Sequence, residues 1–515
     1  MFSTNVARSI RLPDQWVADG DLQQPAKLLY QSLSQNQPST EVLDTAAQYL
    51  RQQIAAAAQL TVDLPASLEA MQGWFDNQLQ QVGTAYQDYL AARKAGAPRR
   101  YFSTRAHALY FLQVAAPTKL VDGAWLAALL PRWSDPDFAS LIRIYLEELG
   151  DGVAEKNHVA LYRKLITTHG CDQFSGLDDA YFVQGATQLA LAHCGTDFLP
   201  ELIGFNLGYE QLPLHLLITA YELNELDIDP YYFTLHVTID NAVTGHAAAA
   251  LQAVRQQAPS LDDGKNYWHR VMQGFRLNQL GHSTETLIAS YQPETELIRI
   301  LQSKCLVGKN MHSDYCRVGG KTINSWLAEP DQIGAMLQQL ERAGWFVRGA
   351  APEQSRFWRL VQGEKAEMFG VFSAYEQAVL ADWILTGTPA LAANDAGDQI
   401  NDATDQLKQN LPAVQTGAAP ARSLSYRARQ RAQAQSDVSV VPGKRPPRAF
   451  LRVHRADESA AEIGNPALRG LEQRVAALHS KDEVMTLLAS LMSPALHHSA
   501  TGLMATRLYA QLLRS

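Results

Sequence analysis

Two imidazoles and a carboxylate are threaded through a run of small and apolar residues, YFTLHVTIDNAVTGHAAAAL, as His236, Asp240 and His246. On a helix that turns about 100° per residue, His236 and Asp240 lie about 40° apart, close enough to share one small ligand. A buried carboxylate without a partner is strongly unfavourable, so Asp240 has to be paired, protonated or bound to a cation. A lone i, i+4 pair of this kind is most simply a His and an Asp hydrogen-bonded in a helical core. Two further segments shift that balance. IYLEELGDGVAEKNHVALYRKL supplies Glu147, Glu148, Asp151, Glu155 and His158. Glu155 and His158 have the E-x-x-H spacing of helical-bundle di-iron sites, a pattern that also arises by chance on solvated faces. FLPELIGFNLGYEQLPLHLLITAYELNEL is almost wholly apolar around Glu210, and Pro213 is expected to bend the helix beside it. Imidazoles and carboxylates gathered from three helices suit a redox-active first-row metal such as iron or manganese, whereas zinc more typically recruits Cys or fewer ligands.

The elements that must position these side chains read as helices. TEVLDTAAQYLRQQIAAAAQL and SLEAMQGWFDNQLQQVGTAYQDYLAARKA combine good helix formers with apolar residues at three- and four-residue intervals, and alternating β-branched runs are scarce. An all-α fold follows. Residues 99–387 alternate long amphipathic segments with short Gly, Pro or Asp breaks and are expected to form one helical domain. Residues 1–98 are expected to add helices that pack on it. From 388 to 460 the sequence turns polar and loses periodicity, which predicts a flexible linker. Residues 461–515 form a helical segment, with Ser480 and Glu483 as a capping box at the start of SKDEVMTLLASLM.

Composition narrows the function classes. The net charge is -8, and a basic run between Ala421 and Arg455 holds nine Lys/Arg against Asp437 alone, so the rest of the chain is more acidic than the total implies. A nucleic-acid role for the body is disfavoured. The four cysteines show no C-x-x-C spacing, no stretch approaches the ~18 apolar residues of a membrane span, and the start lacks an apolar signal core, so a reduced, cytoplasmic protein is expected. His312 and Cys316 have an i, i+4 spacing but no neighbouring ligands. His215 is expected in the core or a groove, His497 and His498 at the surface, and Trp345, Phe357 and Trp358 in the core.

Taken jointly, APTKLVDGAWL, EELGDG with the following NH, GFNLGYEQLPLH, YYFTLHVTIDNAVTGHA, GWFVRGAAPEQSRFW and MFGVFSAYEQAVLADWI resemble the haem-oxygenase-like iron-containing redox enzymes, over roughly Arg99 to Ile384. The resemblance implies a haem-oxygenase-like helical bundle and a non-haem centre of two Fe(II) ions held by three His and three carboxylates. Carried over by position, it assigns Glu148, His158, Glu210, His236 and Asp240 as ligands, with Glu155 as the alternative to Glu148. Many members carry a final His three residues after the Asp, where this chain has Val243. His246 points about 80° away from His236 on an ideal helix, so either a bulge or unwinding near Asn241 to Gly245 brings it round as the sixth ligand, or it stands behind the ligands as a supporting partner.

The leading expectation is an oxidase or oxygenase that uses O₂ to desaturate, oxygenate or cleave a small organic molecule, such as an amino-acid, amine or fatty-acid derivative. The electron donor is not identified by any motif, and a homodimer is left open. The competing expectations are a metal-free bundle that binds haem or another hydrophobic ligand through a lone histidine, and an inactive scaffold. In the enzyme reading, removal of residues 388–515 is expected to spare iron binding.

Overall fold

Caps and prolines set the helix boundaries. In a computed structural model that describes residues 25–239, 245–258, 264–363, 365–387 and 466–514, the chain is all-α, and a two-residue hairpin is its only sheet among those residues. The first helices are α1 (Pro25–Leu33), α2 (Thr40–Ala57) and α3 (Met71–Lys94), with Ser39 capping α2. Next come α4 (Arg105–Lys119), α5 (Ala139–Glu148), α6 (His158–His169), α7 (Val183–Cys194), α8 (Leu199–Tyr209), α9 (Leu214–Glu225), α10 (Tyr231–Ile239), α11 (His246–Gln256) and α12 (Gly264–Leu277). The chain continues through α13 (Thr284–Ala289), α14 (Pro293–Gly308), α15 (Ile323–Leu327), α16 (Ile333–Arg342), α17 (Arg356–Val361) and α18 (Ala374–Leu385). The hairpin pairs Arg317 with Thr322 and Val318 with Lys321.

α4 and α7 run through the centre. α4 is buried from Ala108 to Pro117 and α7 from Gln184 to Ala192, which is why neither has a polar face. α1 and α2 lie against α7, and α3 lies against α9. Polar ties fix the junctions. Glu222, fully buried on α9, accepts hydrogen bonds from the backbone of Tyr101 (3.0 Å) and Phe102 (2.9 Å) and from the Tyr89 hydroxyl of α3 (2.8 Å). The carboxylate therefore joins the entry to α4 and the N-terminal helices to α9 at one point.

Two expected continuities are broken. The bend foreseen at Pro213 is a full break: α8 ends at Tyr209, Glu210 occupies its C-cap, and α9 starts only at Leu214. Proline cannot donate to the helix and disfavours helical backbone in the residue before it, so the chain extends before turning again. The run from His236 to His246 is likewise two helices, with Gly245 in extended conformation (φ -94°, ψ -166°) directly before α11. Asp240 lies outside the described residues.

The last helices are α19 (Pro466–Ala476), α20 (Lys481–Leu491) and α21 (Ala500–Arg514), and they belong to the same compact unit as the helices before residue 389. The capping box is formed: Ser480 Oγ accepts from Glu483 N (3.2 Å) and Glu483 Oε2 accepts from Ser480 N (3.0 Å). α21 packs on the turn that follows α5. His497, expected at the surface, is consequently buried, at 2% exposure. The linker expected over residues 388–460 lies outside the described residues. Among the described residues no helix is long and apolar enough to cross a membrane.

Candidate metal centre

Six segments converge in the interior. Asp122 follows α4, Glu147 and Glu148 end α5, His158 opens α6, Glu210 caps α8, His236 sits on α10 and His246 opens α11. Asp122, Glu148, His158 and His236 place one donor atom each within 4.8 Å of the others, and Glu148, Glu210 and His246 do the same. Glu148 belongs to both groups, and all six residues are buried. Gly123 makes room for the shared carboxylate: its φ of +74° suits glycine, and a Cβ there would lie 2.8 Å from Glu148 Cγ.

The hydrogen bonds fix the tautomer of one histidine. His236 Nδ1 lies 2.8 Å from the carbonyl of Tyr232, which can only accept, so Nδ1 carries a proton. In the neutral ring Nε2 is then a lone pair, and it faces Asp122 Oδ2 at 3.1 Å. His246 is flanked by carboxylates at both ring nitrogens: Nε2 is 2.8 Å from Glu147 Oε2, and Nδ1 is 3.2 Å from both Glu148 Oε1 and Glu210 Oε2. In the neutral ring one of these nitrogens is a lone pair turned onto a carboxylate. His158 is the third case. Nδ1 stands 2.5 Å from Glu148 Oε2 and 4.0 Å from Asp122 Oδ2, yet neither ring nitrogen makes a hydrogen bond.

Lone pairs opposed to carboxylate oxygens are repulsive unless a positive charge stands between them. Protons on the imidazoles or metal ions satisfy that need. Nitrogen and oxygen donors at these separations can both reach an ion bound at about 2.0–2.2 Å, the range of His and carboxylate ligands. The donor set therefore fits a first-row metal. Carboxylate chemistry points the same way. Burial pushes Asp122 and Glu148 up, but Lys119 and His236 beside Asp122 hold its carboxyl well below the usual range, and His158 and His246 hold Glu148 down to about 2. Both remain anionic in the interior. The Tyr232 hydroxyl also donates to Asp122 Oδ2 (2.5 Å).

Glu147 acts on the outside of His246. It joins the imidazole to Arg143, whose Nε donates to its other oxygen at 2.8 Å, while Arg143 Nη2 reaches Asp151 Oδ2 at 2.6 Å. A carboxylate on the far nitrogen of a ligand imidazole orients the ring and raises its basicity.

Residues 109–279 match the family model described as iron-containing redox enzyme. That span contains every residue of both groups, Asp122 to His246. No curated protein and no solved structure matches the chain. The all-α architecture is consistent with a haem-oxygenase-like fold.

Of the side chains singled out in the sequence, Glu148, His158, Glu210, His236 and His246 come together, and Glu155 is exposed in the turn before α6, in neither group. Asp122 was missed. It stands in APTKLVDGAWL, where Asp-Gly reads as ordinary turn chemistry; the available signal was a carboxylate flanked by Leu120, Val121 and Ala124. Cys316 is exposed, and neither it nor His312 joins a group of three ligands among the described residues. A cavity of about 560 Å³ opens beside the centre, walled by Gln211 and Ala247, the neighbours of Glu210 and His246 in the chain, and by Trp74, Phe75, Leu212 and Phe275. His215 lines it too, and burial pulls its pKa down to about 4.

Proposed function

We propose that this chain is a non-haem iron oxidoreductase that uses O₂ to oxidise a small organic substrate. Asp122, His158 and His236 would hold one Fe(II), Glu210 and His246 a second, and Glu148 would serve both; Asp240, the further ligand expected from the sequence, lies outside the described residues. When bound, iron supplies the O₂ reduction. The chain's own residues orient the imidazoles through the Tyr232 carbonyl and Glu147, exclude bulk water, and offer a docking space of about 560 Å³ beside Glu210 and His246. Its volume is in the range of small-molecule sites. The aromatic and aliphatic lining favours a substrate with an apolar body, and the neutral His215 can give or take one hydrogen bond to a polar end.

The observation that carries this reading is that a ring nitrogen of each of three buried imidazoles, His158, His236 and His246, stands within 3.2 Å of a buried carboxylate oxygen, with Glu148 serving two of them. A bundle using one histidine as an axial haem ligand would have no use for carboxylates against the binding nitrogens of all three. The test is anaerobic loading with Fe(II), measurement of bound iron, and O₂ consumption after air is admitted. Two irons per chain and O₂ uptake accelerated by an apolar amine or carboxylic acid are expected. Failure to retain iron, or iron uptake unchanged in His236→Ala, would overturn the proposal.

A further inference from the structure

The turn between Glu148 and His158 is held from the far end of the chain. Asn157 is fully buried and its polar atoms are all engaged: Oδ1 accepts from Ala160 N (3.0 Å), while Nδ2 donates to Leu149 O (3.3 Å) and to His497 Nδ1 (3.1 Å). One amide therefore ties the residue after Glu148 to the first turn of α6, which His158 opens. His497 must be the acceptor, so its imidazole is neutral with the proton on Nε2. Other bonds grip the same element. Tyr145 of α5 donates to Met492 O (2.6 Å), and Arg507 Nε of α21 donates to Gly152 O (2.9 Å). At Gly152 (φ +78°) α21 comes so close that a Cβ would lie 2.3 Å from Leu503 O. Met492, His497, Leu503 and Arg507 all lie beyond the segment that matches the family model.

We infer that residues 480–514 are a strap that holds the ligand-bearing turn 148–158 in place, and that His497 is a positioning residue for His158. This role rests on the metal reading above. The strap acts by supplying an acceptor to Asn157; without it one amide hydrogen is left unpaired in the interior and the cap of α6 loses its fixed orientation. Removal of the C-terminal helices would strip this support from Glu148 and His158, so such a deletion does not spare the centre.

The test uses the full chain and Co(II) as the probe, titrated anaerobically and followed by its visible absorption. His497→Ala is expected to weaken Co(II) binding about tenfold, the low end of the loss seen on removing a direct partner of a metal ligand, because His497 acts through Asn157. His497→Gln retains an acceptor and is expected to restore the wild-type affinity and spectrum. His497→Phe fills the space without an acceptor and is expected to behave as His497→Ala, even where its melting temperature equals that of the Gln variant. Wild-type protein that takes up no Co(II) overturns the metal reading and the positioning role with it. Wild-type protein that binds Co(II) no better than His497→Ala and His497→Phe overturns the strap alone. A Gln variant as weak as the Phe variant at equal stability makes His497 a packing residue and also overturns it.

Discussion

Replacing Glu148 by Gln separates a shared bridge from two independent sites. Glu148 Oε2 lies 2.5 Å from His158 Nδ1 and Oε1 lies 3.2 Å from His246 Nδ1, so one carboxylate serves both groups. Glutamine keeps the shape but removes the charge and turns one of these oxygens into a donor that cannot bind a cation. Loss of a partner behind a ligand weakens metal binding about ten- to a hundredfold, which sets the floor for losing the ligand itself. Tenfold is about 1.4 kcal/mol and hundredfold about 2.7 kcal/mol, and here the loss applies to each ion. Asp122 touches only the first group and His246 only the second. Equilibrium dialysis against Fe(II) under argon, at a concentration that just saturates the wild type, is therefore expected to give two irons for wild type, one each for Asp122→Asn and His246→Ala, and neither retained tightly by Glu148→Gln. Melting of the metal-free proteins serves as the control for folding. Glu148→Gln that holds one iron as tightly as the wild type, or Asp122→Asn that loses both, would refute the bridge.

Glu147→Gln is expected to weaken only the ion on the His246 side, about ten- to a hundredfold, leaving one tight iron in the same dialysis. Gly123→Ala places a side chain in left-handed backbone, which costs about 1–2 kcal/mol, and drives it against Glu148 Cγ; a lower melting temperature together with weaker iron binding is the expected pair of results. Acid is expected to act through His497, whose imidazole burial pulls from its ordinary 6.5 down to about 3. Between those values the unfolded chain takes up a proton the folded chain refuses, so stability is whole above about pH 6.5 and falls as the pH drops toward 3, by up to about 1.4 kcal/mol per pH unit. Urea unfolding at pH 7 and pH 5 checks this, and His497→Gln should lose less stability than wild type over that interval.

The sequence announced the chemistry better than the path that assembles it. Glu210 stood out because an apolar neighbourhood makes a carboxylate costly, and the structure does place it in the interior beside His246. His246 looked misplaced only because one continuous helix was assumed. The extended backbone of Gly245 removes the angular objection, and tertiary packing, which no local periodicity reports, decides where α11 begins. Glu148, ten residues before His158, competed with Glu155 at the E-x-x-H spacing; the positive φ of Gly150 and Gly152 turns the chain so that Glu148 faces inward and Glu155 outward. Asp122 and His497 were illegible for a common reason. Each depends on a partner more than 100 residues away, His236 for one and Asn157 for the other.

The unequal wrapping of the two outer imidazoles bears on how the centre would exchange with its surroundings. His236 closes its Nδ1 on its own helix, whereas His246 sets its Nε2 2.8 Å from Glu147, whose side chain is 39% exposed. Solvent thus comes within one side chain of His246, and the cavity is lined by Ala247, the residue that follows it. Metal on the His246 side would be the labile one, released first by mild acid or a chelator and refilled first. Under iron scarcity the population would then be dominated by a half-loaded form that keeps the ion between Asp122 and His236.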